Sequence, residues 1–142
     1  MRDIHQYFDW FACIVEDSGA ESAEFDFDPD SSISGRIEGV MYFHDGSRLE
    51  ISERVKLEQR RPVKTVYVYQ YVRADESAFR YDNAPHHPGL ANFPHHKHVG
   101  RQRLSAMEPS LSQVLDEVAG YLAEAQVSSP KRRRQSKRSG AR

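Results

Sequence analysis

Five of the seven histidines in this chain lie within thirteen residues, from His86 to His98. His86, His87, His95, His96 and His98 are accompanied there by Arg80, Asp82 and Lys97, with Pro85, Pro88, Gly89 and Pro94 punctuating the run. Histidine exchanges protons near neutral pH and is the commonest metal ligand, so the density points to chemistry more than to packing. If His95–Val99 is extended, His96 and His98 project to one side and His95 and Lys97 to the other. Two kinds of chemistry fit. In one, one histidine serves as base and another as acid, while Arg80 or Lys97 neutralises a phosphate. That set suffices to cleave RNA through its own 2′-hydroxyl, with no cofactor. In the other, His96 and His98 hold a divalent metal, with His86 or His87 as a third ligand and Asp82 as a fourth, in a nuclease or hydrolase. A third reading is non-catalytic: the histidines bind a metal or a partner protein. Arg80 and His86 also show the Arg-x5-His spacing of helical ribonuclease domains, but Arg80 lies in a strand-like run, so the spacing carries little weight.

The elements that must position these residues are legible around them. Ile4, Tyr7, Phe8, Phe11 and Val15 follow helical spacing over residues 4–16, with Asp3 and Gln6 as a capping pair and Ser18-Gly19 as a stop. Residues 21–28 alternate weakly around Phe25 and Phe27 and read as a first strand. Arg36–Phe43 places Ile37, Met41 and Phe43 on one face. Asp45-Gly46 reads as a two-residue hairpin turn. Arg48–Leu57 returns with Leu49, Ile51, Val55 and Leu57 on one side. Pro62 breaks the run before Val63–Arg73, whose β-branched and aromatic residues favour a strand. There, Tyr67, Tyr69 and Tyr71 form a stripe expected to pack beneath a helix, although such a stripe can also stack bases. Ala78–Asp82 pairs back, and a short strand closes the histidine segment at His95–Val99. A second helix from about Pro109 has a Ser110/Gln113 capping box and an apolar stripe of Leu111, Val114, Leu115, Val118 and Leu122. Trp10 reads as core. His5 and His44 have no neighbours that suggest chemistry. The expectation is an α+β domain over residues 1–127, an antiparallel meander of about five strands with a helix at each end.

Composition narrows the function classes. The 142 residues carry a net charge of −1, yet residues 131–142 hold seven basic residues and no acids, which leaves 13 basic and 21 acidic residues in the rest. A body of that sign does not grip nucleic acid by bulk charge, and residues 128–142 read as a disordered basic tail that can bind RNA only non-specifically. Cys13 is the only cysteine, so neither an intrachain disulfide nor a cysteine-rich zinc site is possible. The opening residues lack a signal-peptide pattern and no stretch is apolar enough to span a bilayer, so a cytoplasmic protein without a membrane partner is expected.

The run Phe79-Arg80-Tyr81-Asp82-Asn83-Ala84-Pro85-His86-His87-Pro88, followed by Phe93-Pro94-His95-His96-Lys97-His98-Val99-Gly100, resembles the TumE family of bacterial toxin–antitoxin proteins. Asp45-Gly46-Ser47-Arg48-Leu49-Glu50 and Glu108-Pro109-Ser110-Leu111 are similar to it as well, and the likeness covers roughly residues 36–120. It implies the toxin of a type II system, held inactive by a small antitoxin often of helix-turn-helix type, acting as a ribonuclease on RNA. Arg80, Asp82, His86, His87, His95, His96, Lys97 and His98 match the motif positions; their roles rest on the chemistry above. Homo-oligomerisation stays open.

Overall fold

The computed structural model describes residues 1–85, 89 and 92–127. Helix α1 (Ile4–Asp17) leads into seven strands: β1 (Ser22–Pro29), β2 (Ser34–Tyr42), β3 (Arg48–Glu58), β4 (Arg61–Arg73), β5 (Glu76–Asp82), β6 (His96–Val99) and β7 (Gln102–Ser105). Helix α2 (Leu111–Val127) follows. Every strand pairs antiparallel with the one before it, so the sheet order is the chain order. The α+β expectation holds, with seven strands in place of about five.

Both helix starts are capped, but Gln6 does not pair with Asp3 as expected, its side chain accepting instead from the Arg2 amide. Asp3 accepts a hydrogen bond from the His5 amide. Ser110 and Gln113 bond reciprocally, each side chain accepting from the other's backbone N–H at 3.1 and 2.9 Å. Gly19, at φ 78°, supplies the left-handed residue that ends α1.

Turns depart most from expectation. Asp45-Gly46 does not make a two-residue turn. Phe43 and Ser47 close the loop, with the Phe43 amide donating to the Ser47 carbonyl, and only Gly46 has positive φ. That leaves a three-residue connection with glycine at its left-handed position. The two-residue turns lie elsewhere, at Gln59-Arg60 and Ala74-Asp75, where both residues have positive φ. Pro62 does not break a strand. It sits inside β4 opposite Leu57, next to the turn.

The two faces of the sheet differ in kind. One carries Ile37, Met41, Leu49, Ile51, Val55, Tyr67, Tyr69, Tyr71 and Phe79, all buried in a common core with α1 and α2. The tyrosine stripe thus packs beneath the helices, and its rings are not available as a base-stacking platform. Burial of each large apolar side chain such as Phe11 or Phe79 contributes about 1.5–3 kcal/mol. Gly39 in β2 has no room for a side chain, because Phe25 of β1 folds across it and a Cβ would meet that ring at 2.4 Å. No helix among the described residues covers the opposite face. Arg36, Glu38, Glu50, Ser52, Arg54, Val66, Val68, Gln70, Arg80, Asp82, His96, His98 and Arg103 share it by strand alternation and register.

Trp10 is not core. It lies 43% exposed on α1, against the Tyr7 ring at 5.4 Å.

Candidate functional site

Register builds the site. β5, β6 and β7 pair so that Arg80 stands opposite His98 and His98 opposite Arg103, while Asp82 stands opposite His96 and His96 opposite Ser105. Adjacent strands lie about 4.8 Å apart. The helix-free face therefore carries two neighbouring rows across the same three strands. One row is arginine–histidine–arginine. The other sets a carboxylate against a histidine.

Asp82 is 3% exposed and is the hub. Its Oδ1 accepts from the Ala84 amide at 3.0 Å and lies 2.8 Å from His96 Nε2. Its Oδ2 accepts from Arg80 Nε at 2.9 Å and lies 3.7 Å from His98 Nε2. His96 is 2% exposed, and its Nδ1 is 2.9 Å from the Pro94 carbonyl. A carbonyl only accepts, so Nδ1 carries a proton there. The other nitrogen faces a carboxylate oxygen at hydrogen-bond distance, so a second proton lies between Nε2 and Oδ1. The pair is either an imidazolium with a carboxylate or an imidazole with a carboxylic acid.

His98 is more open than His96, and their rings meet edge to face at 4.8 Å. Burial lowers the His98 pKa below its ordinary value. The Asp82 carboxylate opposes that shift, while His96, Arg103 and Arg80 add to it. That direction favours the neutral ring, the form that can take a proton. Arg80 also donates to Gln70 Oε1 at 3.3 Å, which ties it to β4.

The structure puts His96 and His98 on one side, as strand alternation implied, and the β5–β6 register sets Arg80 and Asp82 beside them. It sends Lys97 and His95 to the other side. Lys97 Nζ donates to Glu117 Oε2 of α2 at 2.7 Å, and His95 Nδ1 bonds the Tyr67 hydroxyl at 2.9 Å. Neither reaches the Asp82 hub. His86 and His87 lie outside the described residues, as does the basic tail from residue 128 onward. Arg103 was missed because β7 is short, polar and exposed. Its one signal was Gly100, which at φ 58° turns the chain back two residues before the strand. Asp82, His96 and His98 also form the one described cluster with metal-ligand geometry, their donor atoms lying within 4.8 Å of one another.

A second polar cluster, under the helices, had no sequence signal. Glu53 of β3 is 1% exposed within the apolar face. Its carboxylate accepts from the Tyr7 hydroxyl at 2.5 Å and from the Tyr69 hydroxyl. Lys64 Nζ donates to the Tyr69 hydroxyl at 2.8 Å and to the Pro109 carbonyl at 2.6 Å. A β-bulge between Arg54 and Val55 leaves Thr65 without a cross-strand partner and turns Lys64 inward. Burial raises both tyrosine pKa values, and Glu53 raises them further. Burial lowers that of Lys64, against the pull of Glu53 and Glu108.

These features define an α+β protein with a cationic histidine row on the open face of an antiparallel sheet. The chain belongs to the toxin TumE family, whose model matches residues 11–125. The match includes the second half of α1 and all of β1, beyond the span that resemblance covered. No curated protein and no solved structure matches the chain. A toxin of this kind implies an antitoxin partner. No helix among the described residues is long and apolar enough to cross a membrane.

Proposed function

We propose that this toxin is an endoribonuclease that cleaves RNA without a metal ion at the Arg80–His98–Arg103 row, and that a small helix-turn-helix antitoxin restrains it. The observation that carries the reading is that row: a histidine flanked in register by two arginines on a face that no described helix covers. The substrate's 2′-hydroxyl attacks its own phosphorus and gives its proton to the His98 imidazole. The bond from phosphorus to the 5′-oxygen breaks, and the leaving oxygen takes a proton from a second histidine. His86 or His87 supplies it, in the segment that begins four residues after Asp82. The two arginines stabilise the charge that builds on the phosphoryl oxygens. Arg103 takes the part that sequence reasoning gave to Lys97. Asp82 and His96, both buried, are positioning residues that orient Arg80 and His98.

A metal-dependent reading has one observation of its own. A histidine whose Nδ1–H is fixed on a carbonyl is oriented as metal-ligating histidines are, with Nε2 turned toward the ligand cluster. Asp82, His96 and His98, with His86, would hold the ion after the hydrogen bond between His96 and Asp82 opens.

RNA cleavage in chelator separates the two. The metal-free reaction persists, follows a bell-shaped pH curve and leaves a 2′,3′-cyclic phosphate or its hydrolysis product. Chelator-sensitive cleavage with 5′-phosphate ends would select the metal reading. Intact RNA beside a toxic, folded chain would reject both.

A further inference from the structure

The two helices together carry no lysine or arginine. Asp9, Glu16 and Asp17 lie on α1, and Asp116, Glu117 and Glu124 on α2. Glu117 is turned inward to Lys97 and Tyr81. Arg80 and Arg103 sit on the other face of the sheet, away from both helices.

Two hollows lie beside α1, the first bounded by Glu53 of β3, Pro62 and Lys64 of β4 and the start of α2, the second by α2. The first, of about 300 Å³, is walled by Tyr7, Trp10 and Leu111, with Glu108 also lining it. The second, of about 380 Å³, is lined by Ile14, Leu115 and Ala119 together with Asp17 and Asp116. Tyr7 and Ile14 are seven residues apart, so the hollows are spaced by about two helical turns, or roughly 10.5 Å. Lys64, in the first hollow, is engaged by Tyr69 and the Pro109 carbonyl. The groove thus has apolar walls with carboxylates beside both hollows and an exposed indole at one end.

We propose that this groove docks a basic amphipathic helix of a protein partner, with two apolar anchors seven residues apart and lysines or arginines flanking them. An amphipathic helix laid in a groove reads it through anchors at i and i+7, and the flanking charges fix orientation and speed encounter. In a toxin that partner is the antitoxin, and the contact lies on the face opposite the arginine–histidine row. The assignment of partner rests on family membership and not on the ribonuclease reading. The chain's own tail satisfies the charge but not the anchors, since residues 131–142 hold no apolar side chain larger than alanine.

The test uses the full chain and a fluorescein-labelled 18-residue helical peptide with leucines seven apart and lysines flanking them. A matched peptide with glutamates in place of the lysines is the control. Fluorescence anisotropy should show the lysine peptide binding and the glutamate peptide not binding. Trp10→Ala and the double variant Asp17→Lys/Asp116→Lys should each weaken binding by about tenfold or more, with melting temperatures near that of the parent. The double variant keeps the test valid if loss of the indole disturbs α1. Binding left intact in both variants overturns the proposal. So does equal binding of the glutamate peptide. If removal of residues 128–142 raises affinity by about tenfold, the tail is the groove's occupant and the proposal also fails. A dimer that Trp10→Ala dissolves would assign the groove to a second copy, with the same consequence. Peptide binding is read without RNA, so a chain that binds as expected yet cleaves nothing retains this inference and loses the ribonuclease reading.

Discussion

Glu53 and Asp82 are buried carboxylates on opposite faces of one sheet, and their surroundings set their uses apart. Glu53 is held by two tyrosine hydroxyls, with Lys64 bonded to one of them. The tyrosine pKa values are pushed up by burial, so those protons do not leave in the physiological range. The cluster ties α1, β3, β4 and the start of α2 together. Asp82 is held by an arginine and two histidines. Its rows face the side without helices. The same residue class gives an internal strut among hydroxyls in one place and, in the other, the hub that orients Arg80 and His98 in the proposed site.

The strongest way to break this comparison is at Glu53. Glu53→Ala leaves two buried hydroxyls without their acceptor and Lys64 without its nearest counter-charge. Stability should fall by about 3–5 kcal/mol in chemical denaturation. Glu53→Gln keeps one acceptor oxygen and should cost clearly less. If Glu53→Ala melts near the parent while growth arrest is lost, the strut is part of the working site and the contrast collapses.

His98→Ala tests the other side. General acid–base groups contribute about 10²–10⁴-fold, so cleavage should fall by that factor. The melting temperature should stay near that of the parent, because the His98 side chain is already partly open. Arg80→Lys should follow the same pattern more mildly, since a point charge replaces a planar fork that reaches Asp82 and Gln70 at once. A large loss of stability in His98→Ala would make that histidine structural, like the tyrosines around Glu53.

The sequence made one of these regions readable and hid the other, for physical reasons. Strand alternation alone separates His96 and His98 from His95 and Lys97, and the parity of Arg80 and Asp82 puts them beside the first pair. Nothing local marks Glu53, because a charged residue in an apolar row is explained only by tyrosines that arrive from α1 and β4. Lys64 turns inward through a bulge that its own sequence does not announce. The Gln59-Arg60 turn adopts positive φ without glycine or asparagine, so its residue types conceal it. β7 was lost the same way: four exposed residues at a sheet edge have no buried face to create a pattern.

The His98 pKa shift adds a pH signature. Burial favours the neutral ring in the fold, whereas the unfolded chain binds that proton near pH 6.5. The unfolded state therefore holds more protons in the interval below 6.5. Stability from His98 is complete above that pH and is lost as the solution is acidified. The acid limb of the cleavage profile should likewise fall below about pH 6.5, set by the depressed value. His98→Asn should remove this part of the pH dependence of stability. An acid limb above pH 7, followed by NMR titration of the ring to the same value, would mean that Asp82 outweighs burial and that His98 works as an acid.

The smallest expected effect is at Lys97, and it sharpens the division of faces most finely. Sequence spacing offered Lys97 as a phosphate-binding cation beside the histidines. It instead points under α2, 2.7 Å from Glu117 and 4.9 Å from the centre of the Tyr81 ring. Burial lowers its pKa, but the bonds to Glu117 and Tyr81 outweigh that and raise it, so the charge is fixed in place. Such a partly buried pair contributes about 1 kcal/mol, and a double-mutant cycle of Lys97→Ala with Glu117→Ala should recover a coupling of that size. RNA cleavage by Lys97→Ala should match the parent once the folded fractions are equal. The substitution sits between His96 and His98 in sequence yet on the opposite side of the sheet. A tenfold loss of cleavage with the coupling intact would therefore mean that the helix face takes part in the reaction.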